Sequence, residues 1–195
     1  MGVSWVFEVD VPPSQVEREL IVAGAECIGI YTVDSTPYKP SESGISPFFL
    51  LHHTQYPQSA FSISLSENYK SSARASTDRG FDLILTKLSS GLQADLNGKF
   101  EVRGNELSLK DFHVRVGMAT QSTGAKGTIV EVEYAPSCVA SQAMPIINEF
   151  VKHFFPEIDN SFKSDVIDKK GPEPYSALET LYQYSLLFQE MRKRA

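Results

Sequence analysis

The sequence has 195 residues, of which 42% are hydrophobic and 22% are charged, and its formal net charge is −6. This length is enough for one sizeable core and short for two independent domains, so we expect a single domain over residues 1–195. The acidic balance argues against neutralisation of phosphates, and we expect no direct contact with nucleic acid. The two cysteines, Cys27 and Cys138, have neither zinc-type nor disulfide-type spacing, and no cofactor or metal is expected.

The N-terminal residues do not form a basic segment followed by an apolar run, as in a secretory signal. No stretch of the sequence approaches the ~20 apolar residues of a membrane span. We therefore expect a soluble intracellular protein without membrane contacts.

The first quarter of the chain is predicted to form a strand, a helix and a second strand. Residues 5–9 and 27–33 have the strand pattern. Between them, Ser14 and Glu17 have the spacing of a capping box, and the helix that they begin should bury Val16, Leu20 and Ile21. Residues 34–47 are rich in Pro, Ser and Gly, which predicts a mobile loop insertion.

The middle of the chain predicts short strands around one helix. Residues 48–53 and 59–65 form a predicted hairpin, and residues 69–75 are predicted to add a third strand. Residues 78–92 have apolar side chains at helical spacing, with a stripe that should face the core: Phe81, Ile84, Leu85, Leu88 and Leu92. Gly104-Asn105 predicts a tight turn between two further strands.

Strict two-residue alternation marks residues 112–118 and 129–134 as paired strands. In the second strand Glu131 and Glu133 alternate with apolar residues, which predicts one apolar face and one solvated face. A hairpin centred at Thr123 would place Arg115 opposite Glu131 and His113 opposite Glu133. Such exposed pairs contribute only ~0.2–1 kcal/mol each and would mainly help to fix the register.

Two helices are predicted in the last third of the chain, over residues 141–155 and 175–194, with an irregular linker near 156–174 between them. Together the elements amount to eight or nine strands and four helices. Because most strands are adjacent in sequence, the predicted class is α+β, an antiparallel β-barrel of about eight strands flanked by helices.

Catalytic chemistry has one candidate location. Inward carboxylates such as Glu131 and Glu133 could hold a divalent metal in a metal-dependent triphosphate hydrolase with a tunnel-like barrel. Such a site needs several acidic strands with interleaved basic residues, and the sequence has no second Glu-x-Glu strand. His52 and His53 could act as metal ligands, but neighbouring strand residues point to opposite faces.

Partner binding has one candidate residue. Tyr56 precedes Pro57 in the turn between two predicted strands, and exposed tyrosines in such turns can anchor interfaces. Burial of its ring in the core is the competing interpretation.

Five stretches resemble the Mediator subunit 20 family, also called the TBP-related-factor-proximal proteins. They are residues 1–3, 51–61, 80–93, 112–155 and 183–193. The most specific motif is VEVEY-x-P-x-x-VAS, and the Tyr-Pro pair with a following Phe is second.

The resemblance implies a non-catalytic structural subunit with a β-barrel flanked by helices. It implies a heterodimer with Mediator subunit 18 in the head module, tethered by the C-terminal segment of Mediator subunit eight. Through that complex, the implied partners are RNA polymerase II and the TATA-binding protein, and the implied location is the nucleus.

Overall fold

The computed structural model describes residues 2–41, 46–66, 69–88, 91–122, 124–158 and 173–194. These residues form nine strands and four helices, as the sequence predicted. The strands are β1 Val3–Val9, β2 Glu26–Pro40, β3 Phe48–His53, β4 Ser59–Ile63, β5 Arg74–Asp78, β6 Leu92–Ala94, β7 Phe100–Leu109, β8 Phe112–Gln121 and β9 Gly124–Tyr134. The helices are α1 Pro13–Val22, α2 Phe81–Lys87, α3 Ala140–Phe154 and α4 Ala177–Lys193.

All strand pairs are antiparallel and belong to one sheet, which confirms the predicted α+β class. The order is β1-β9-β8-β7-β2-β3-β4-β5, and β6 pairs with β2 outside this path. The path has two ends, and among the described residues no ladder joins β1 to β5. The sheet is therefore not closed into a complete barrel, a point that the sequence had left undecided.

The sheet curls around α4 instead of closing on itself. Helix α4 contacts β1 at one end of the strand order and β4 and β5 at the other end. We call the face of the sheet that carries α4 the inner face. Its apolar cluster joins Ile129 and Val102 to Tyr184 and Phe188 of the helix. The helix fills the space enclosed by the curled sheet, which would otherwise be the interior of a barrel.

The opposite, outer face of the sheet carries α1 and α3. Val130 and Val132 lie in its apolar cluster with Leu20 of α1 and Ile147 of α3. Phe150, at the centre of the predicted stripe of α3, is 9% exposed and belongs to the same cluster. Both faces of strand β9 are therefore buried.

The prediction of a loop over residues 34–47 is wrong for residues 34–40, which belong to strand β2, and residues 42–45 lie outside the described part of the chain. The strand continues to Pro40 because β3 pairs with Val33–Tyr38 on one side and β7 pairs with residues as far as Ser35 on the other. Ser35 is fully buried. Two neighbouring strands thus impose an extended conformation on residues that are typical of turns in isolation.

Strand β7 corrects the prediction of a turn at Gly104-Asn105, since both residues pair with β8 in an unbroken ladder. A Cβ atom at position 104 would collide with the carbonyl oxygen of Val116. Glycine is needed here for close strand approach, and not for a turn.

The first helix differs from its predicted start and core face. It has Pro12 as its N-cap without a side-chain cap, so the Ser14–Glu17 capping box does not form. Val16 and Leu20 are buried as predicted, but Ile21 is 52% exposed.

The region around α2 also differs from prediction. Helix α2 is shorter than predicted, and only Leu85 of its apolar stripe is buried, because just a small cluster with Leu50 and Ala60 lies beneath it. The predicted strand over 69–75 is a 3-10 turn, Tyr69–Ser71, followed by β5.

The linker near 156–174 lies mostly outside the described residues, as does Thr123. Within the described part of the chain, no helix has both the length and the apolar character to cross a membrane. Cys27 and Cys138 are both free and exposed.

Candidate functional site

A group of charged side chains lies on the inner face, where β8 and β9 pair. Arg115 stands opposite Glu131 in the ladder and His113 stands opposite Glu133, so the predicted register is confirmed. The predicted exposure is wrong. Arg115 is 0% exposed, Glu131 1% and Glu133 3%. The side chains form a buried ion-pair network beneath α4, and not a solvated face.

The Arg115 guanidinium connects three carboxylates. Its Nη1 donates to Glu131 Oε1 at 2.6 Å, and its Nη2 donates to Glu133 Oε2 at 2.9 Å. The same Nη2 lies 2.6 Å from Glu106 Oε1 on β7. The predicted pairing of His113 with Glu133 does not form, because His113 Nδ1 lies 3.7 Å from Glu106 instead.

The two oxygens of Glu131 also accept hydrogen bonds from residues of three other elements. Ser4 Oγ of β1 donates to Oε1 at 3.1 Å, and Tyr184 OH of α4 donates to Oε2 at 2.8 Å. His53 Nε2 of β3 lies 3.3 Å from Oε2. Since His53 Nδ1 accepts from the Gln55 amide at 3.0 Å, its ring proton is on Nε2 and is donated to Glu131.

Glu133 is held in the same way. Its Oε1 accepts from the Gly2 amide at 2.7 Å, and its Oε2 accepts from Gln55 Nε2 at 3.4 Å as well as from Arg115. The network thus links β1, at one end of the strand order, to β3, which is five strands away in that order, through side chains. Buried carboxylates are tolerated when their oxygens have donors, and each oxygen of Glu131 and Glu133 accepts at least one hydrogen bond.

The charges perturb one another in the expected directions. Burial by itself raises the pKa of the Glu131 carboxyl, but the Arg115 guanidinium and the hydrogen bonds from His53 and Tyr184 outweigh it and hold that pKa well below its usual range. Burial opposes the charge of Arg115, yet the three carboxylates raise its pKa above the ordinary value. Burial and the nearby Glu131 charge raise the pKa of the Tyr184 hydroxyl. At neutral pH the Glu131 carboxylate is therefore ionised and pairs with the charged Arg115 guanidinium, and the Tyr184 hydroxyl is neutral.

In this geometry the oxygens of the two candidate carboxylates are engaged in hydrogen bonds and ion pairs. Each oxygen of Glu131 and Glu133 already accepts at least one hydrogen bond. Among the residues that the structure describes, no group of three or more His, Cys, Asp and Glu side chains could hold a metal ion. The carboxylates act as the centre of a structural network that ties five strands to α4.

The two adjacent histidines point to opposite faces, as predicted. His53 joins the buried network, and His52 lies on the outer side between two aspartates. His52 Nδ1 is 3.2 Å from Asp34 Oδ1 and Nε2 is 3.1 Å from Asp82 Oδ1. The hydrogen bond to Asp34 is the main reason that the pKa of His52 is raised, although partial burial opposes it.

Tyr56 lies in the β3–β4 turn, where the sequence placed it, but its ring is half-buried. It packs edge-on against Phe61 with centroids 5.6 Å apart, and the His53 ring is 5.5 Å away. Burial raises the pKa of its hydroxyl. The ring thus supports the inner cluster, and a contact with a partner at its exposed edge stays a prediction.

Sequence reasoning missed the contributions of Ser4, His53 and Tyr184 to the network. Their spacing in the sequence gives no signal, because 127, 78 and 53 residues separate them from Glu131. It also missed the apolar side chains that are most exposed, which include Ile30 at 65%, Leu83 at 70% and Leu96 at 72%.

Comparison with known proteins gives the family. The family model described as "TATA-binding related factor (TRF) of subunit 20 of Mediator complex" matches residues 1–189. The chain belongs to the Mediator subunit 20 family. A relative named Mediator of RNA polymerase II transcription subunit 20, from Caenorhabditis briggsae, is 42% identical over 197 residues and covers 100% of both chains. The protein of the same name from Homo sapiens is 28% identical over 209 residues, covering 100% of this chain and 96% of its own.

The similarity to solved structures concerns the fold alone. The PH1012 protein from Pyrococcus horikoshii OT3 gives a TM-score of 0.52 at 12% identity, covering 91% of this chain and 99% of that chain. Family membership confirms the resemblance seen in the sequence, and with it a role in the Mediator complex and in transcription regulation.

Proposed function

We propose that this chain is a non-catalytic structural subunit of the Mediator head module that forms a heterodimer with Mediator subunit 18. The C-terminal segment of Mediator subunit eight tethers the pair to the rest of the module. In the nucleus, the assembled complex supports regulated transcription with RNA polymerase II and the TATA-binding protein.

The observation that carries this proposal is the family match over residues 1–189. A subunit that holds others needs a rigid scaffold and accessible surface. The buried network supplies rigidity across the open sheet, and exposed apolar side chains such as Leu83 and Ile30 provide candidate contact area.

The non-catalytic part of the proposal rests on the network. In a tunnel-like triphosphate hydrolase the inward carboxylates must be free to bind metal. Here Arg115 neutralises Glu131 and Glu133 at 2.6 and 2.9 Å, and α4 fills the interior above them. We expect no turnover of nucleoside triphosphate or tripolyphosphate with Mg²⁺ or Mn²⁺. Metal-dependent turnover that disappears in the Glu131→Ala, Glu133→Ala variant would overturn this part.

The assembly proposal is tested by co-expression with Mediator subunit 18, followed by size-exclusion chromatography and calorimetry. We expect one complex without DNA or nucleotide, with an interface on the order of 1,200–2,000 Å². If the parent chains do not associate at micromolar concentration, the heterodimer proposal fails. Purification of the tagged chain from nuclear extract, followed by mass spectrometry, tests the wider set of partners.

The proposed anchor Tyr56 is tested in the same experiment. Tyr56→Ala should weaken the pair by about tenfold if the ring reaches the partner. Tyr38→Ala is the matched control, because Tyr38 is also half-buried and stacks on Phe48 at 5.3 Å. Equal affinity of both variants and the parent would remove Tyr56 as an anchor.

A further inference from the structure

A small pocket lies where the end of β1, the second half of α4 and the segment after α3 meet. Its volume is about 270 Å³, and its apolar lining comes from Val6 and Phe7 of β1, Ile158 after α3 and Leu187 of α4. Val6 and Phe7 are buried at 5% and 4% exposure, so they form a floor, whereas Ile158 and Leu187 are half-buried walls. The space is sufficient for one aliphatic side chain.

The rim of the pocket is acidic. Glu8, Glu157 and Glu190 line it together with Arg194. Arg194 Nη1 is already paired with Glu8 Oε2 at 2.8 Å. Glu157 and Glu190 make no hydrogen bond or ion pair with any residue that the structure describes. Two carboxylates beside an apolar floor therefore lack a cationic partner, and the charge complement that fits them is basic.

The pocket also adjoins an unpaired strand edge. Strand β1 ends the strand order, and β9 is its single ladder partner among the described strands. Gln183 of α4 covers part of the free edge, because it accepts from the Val6 amide at 3.0 Å and donates to the Ser4 carbonyl at 3.0 Å. Residues two apart direct their backbone groups to the same side of a strand, so the amide and carbonyl of Glu8 also face away from β9. They lie beyond the reach of Gln183, beside the pocket.

We propose that this pocket binds a short extended segment of a partner protein, one that has a single aliphatic residue with a basic residue two positions before it and two positions after it, so that the three side chains point to the same face. The aliphatic side chain enters the apolar floor, the basic residues pair with Glu157 and Glu190, and the segment's backbone pairs with the free edge at Glu8. The inference deepens the proposed function, on which it rests, by giving the chemistry of one partner contact.

The experiment uses the full chain and a fluorescein-labelled peptide of sequence GKTKTLTKTG, in which the Leu and the Lys residues share one face of an extended chain, with fluorescence anisotropy as the readout. We expect saturable binding. A peptide in which Ser replaces the central Leu, and one in which Glu replaces the three Lys residues, should each bind about tenfold more weakly or not at all, because they remove the anchor and the charge complement respectively.

Two double variants of the chain separate this pocket from general attraction to an acidic protein. The Glu157→Lys, Glu190→Lys variant should weaken binding of the basic peptide by about tenfold or more. The Glu26→Lys, Glu149→Lys variant changes the net charge equally at two exposed positions away from the pocket, and its affinity should stay within about twofold of the parent. Circular dichroism and urea unfolding establish that both variants are folded.

Ile158→Ser is a further variant that leaves the charge unchanged, and it should also weaken binding. Equal loss in the two double variants, undiminished binding of the Glu-containing peptide, or absence of saturable binding to the parent would each overturn the proposal. Because the peptide is measured on the isolated chain, such a failure is distinct from failure of the pair with Mediator subunit 18 to form.

Discussion

The two faces of strand β9 are both buried but are stabilised in different ways. On the outer face, Val130 and Val132 pack beneath α3 in a continuous apolar cluster. On the inner face, Glu131 and Glu133 lie beneath α4 with Arg115 between them. The outer face depends on apolar area, whereas the inner face depends on ion pairs and hydrogen bonds.

The difference shows that alternation in a sequence reports the chemistry of each strand face and not its exposure. A charged face is usually solvated, and exposed pairs contribute little to stability. Here the same residues are enclosed because the sheet curls until His53 of β3 and Ser4 of β1 both reach Glu131. A charged side chain so enclosed becomes costly to remove, because its partners remain buried without it.

The largest effect is expected from Arg115→Met, which removes the cation from the inner face. Two carboxylates would stay buried without their guanidinium, so the free energy of unfolding in urea should fall by ~3–5 kcal/mol. Adding Glu131→Gln and Glu133→Gln to this variant should restore part of the loss. A fall below about 1 kcal/mol would mean that water reaches the network.

Phe150→Ala is the corresponding change on the outer face. Phe150 contacts Phe112, with ring centroids 4.2 Å apart, and lies at the edge of the cluster. Truncation should cost about 3 kcal/mol in urea unfolding, at the low end for a buried Phe. Because Phe150 packs in the outer cluster and Glu131 lies on the opposite face of β9, the losses of Phe150→Ala and Glu131→Gln should add within about 0.5 kcal/mol. A larger coupling would show that the two faces do not act independently.

The pH dependence of stability should distinguish the contribution of the inner face from that of the outer face. The pKa of Glu131 is lower in the folded chain than in the unfolded chain, so the ionised carboxylate stabilises the fold above the unfolded pKa of about 4.3. That contribution is lost as the pH falls through and below this value. Urea midpoints between pH 7 and pH 3 should therefore fall less steeply in Glu131→Gln than in the parent, whereas Phe150→Ala should keep the parent slope. Identical slopes in all three proteins would contradict a depressed pKa at Glu131.

The smallest effect is expected from His113→Ala. His113 stands at the edge of the network with a side chain that is 34% exposed, and its Nδ1 is 3.7 Å from Glu106. The change in unfolding free energy should be ~0.2–1 kcal/mol and should decrease in 0.5 M salt. A loss of unfolding free energy comparable to that of Arg115→Met would show that His113 is part of the buried network.

The elements that the sequence predicted best are those with strong periodicity and local partners. Helix α3 was placed within one residue at each end, and the opposition of Arg115 to Glu131 and of His113 to Glu133 followed from a hairpin centred at Thr123. The failures have a common cause. Residues 34–40 and Gly104 have local turn signals, but long-range pairing with neighbouring strands outweighs local preference.

The candidate site, too, was predictable from the sequence only in part. The identities of Arg115, Glu131 and Glu133 and their opposition across the ladder follow from the sequence, because a hairpin with period-two alternation has few possible registers. The sequence also determined the acidic charge, the α+β class and the family. Burial of the network was decided by tertiary structure, since it requires β1, β3 and α4 to converge from positions as many as 127 residues away. The curl of the sheet around α4 brings them together, and desolvation then makes a weak surface pair into a buried network.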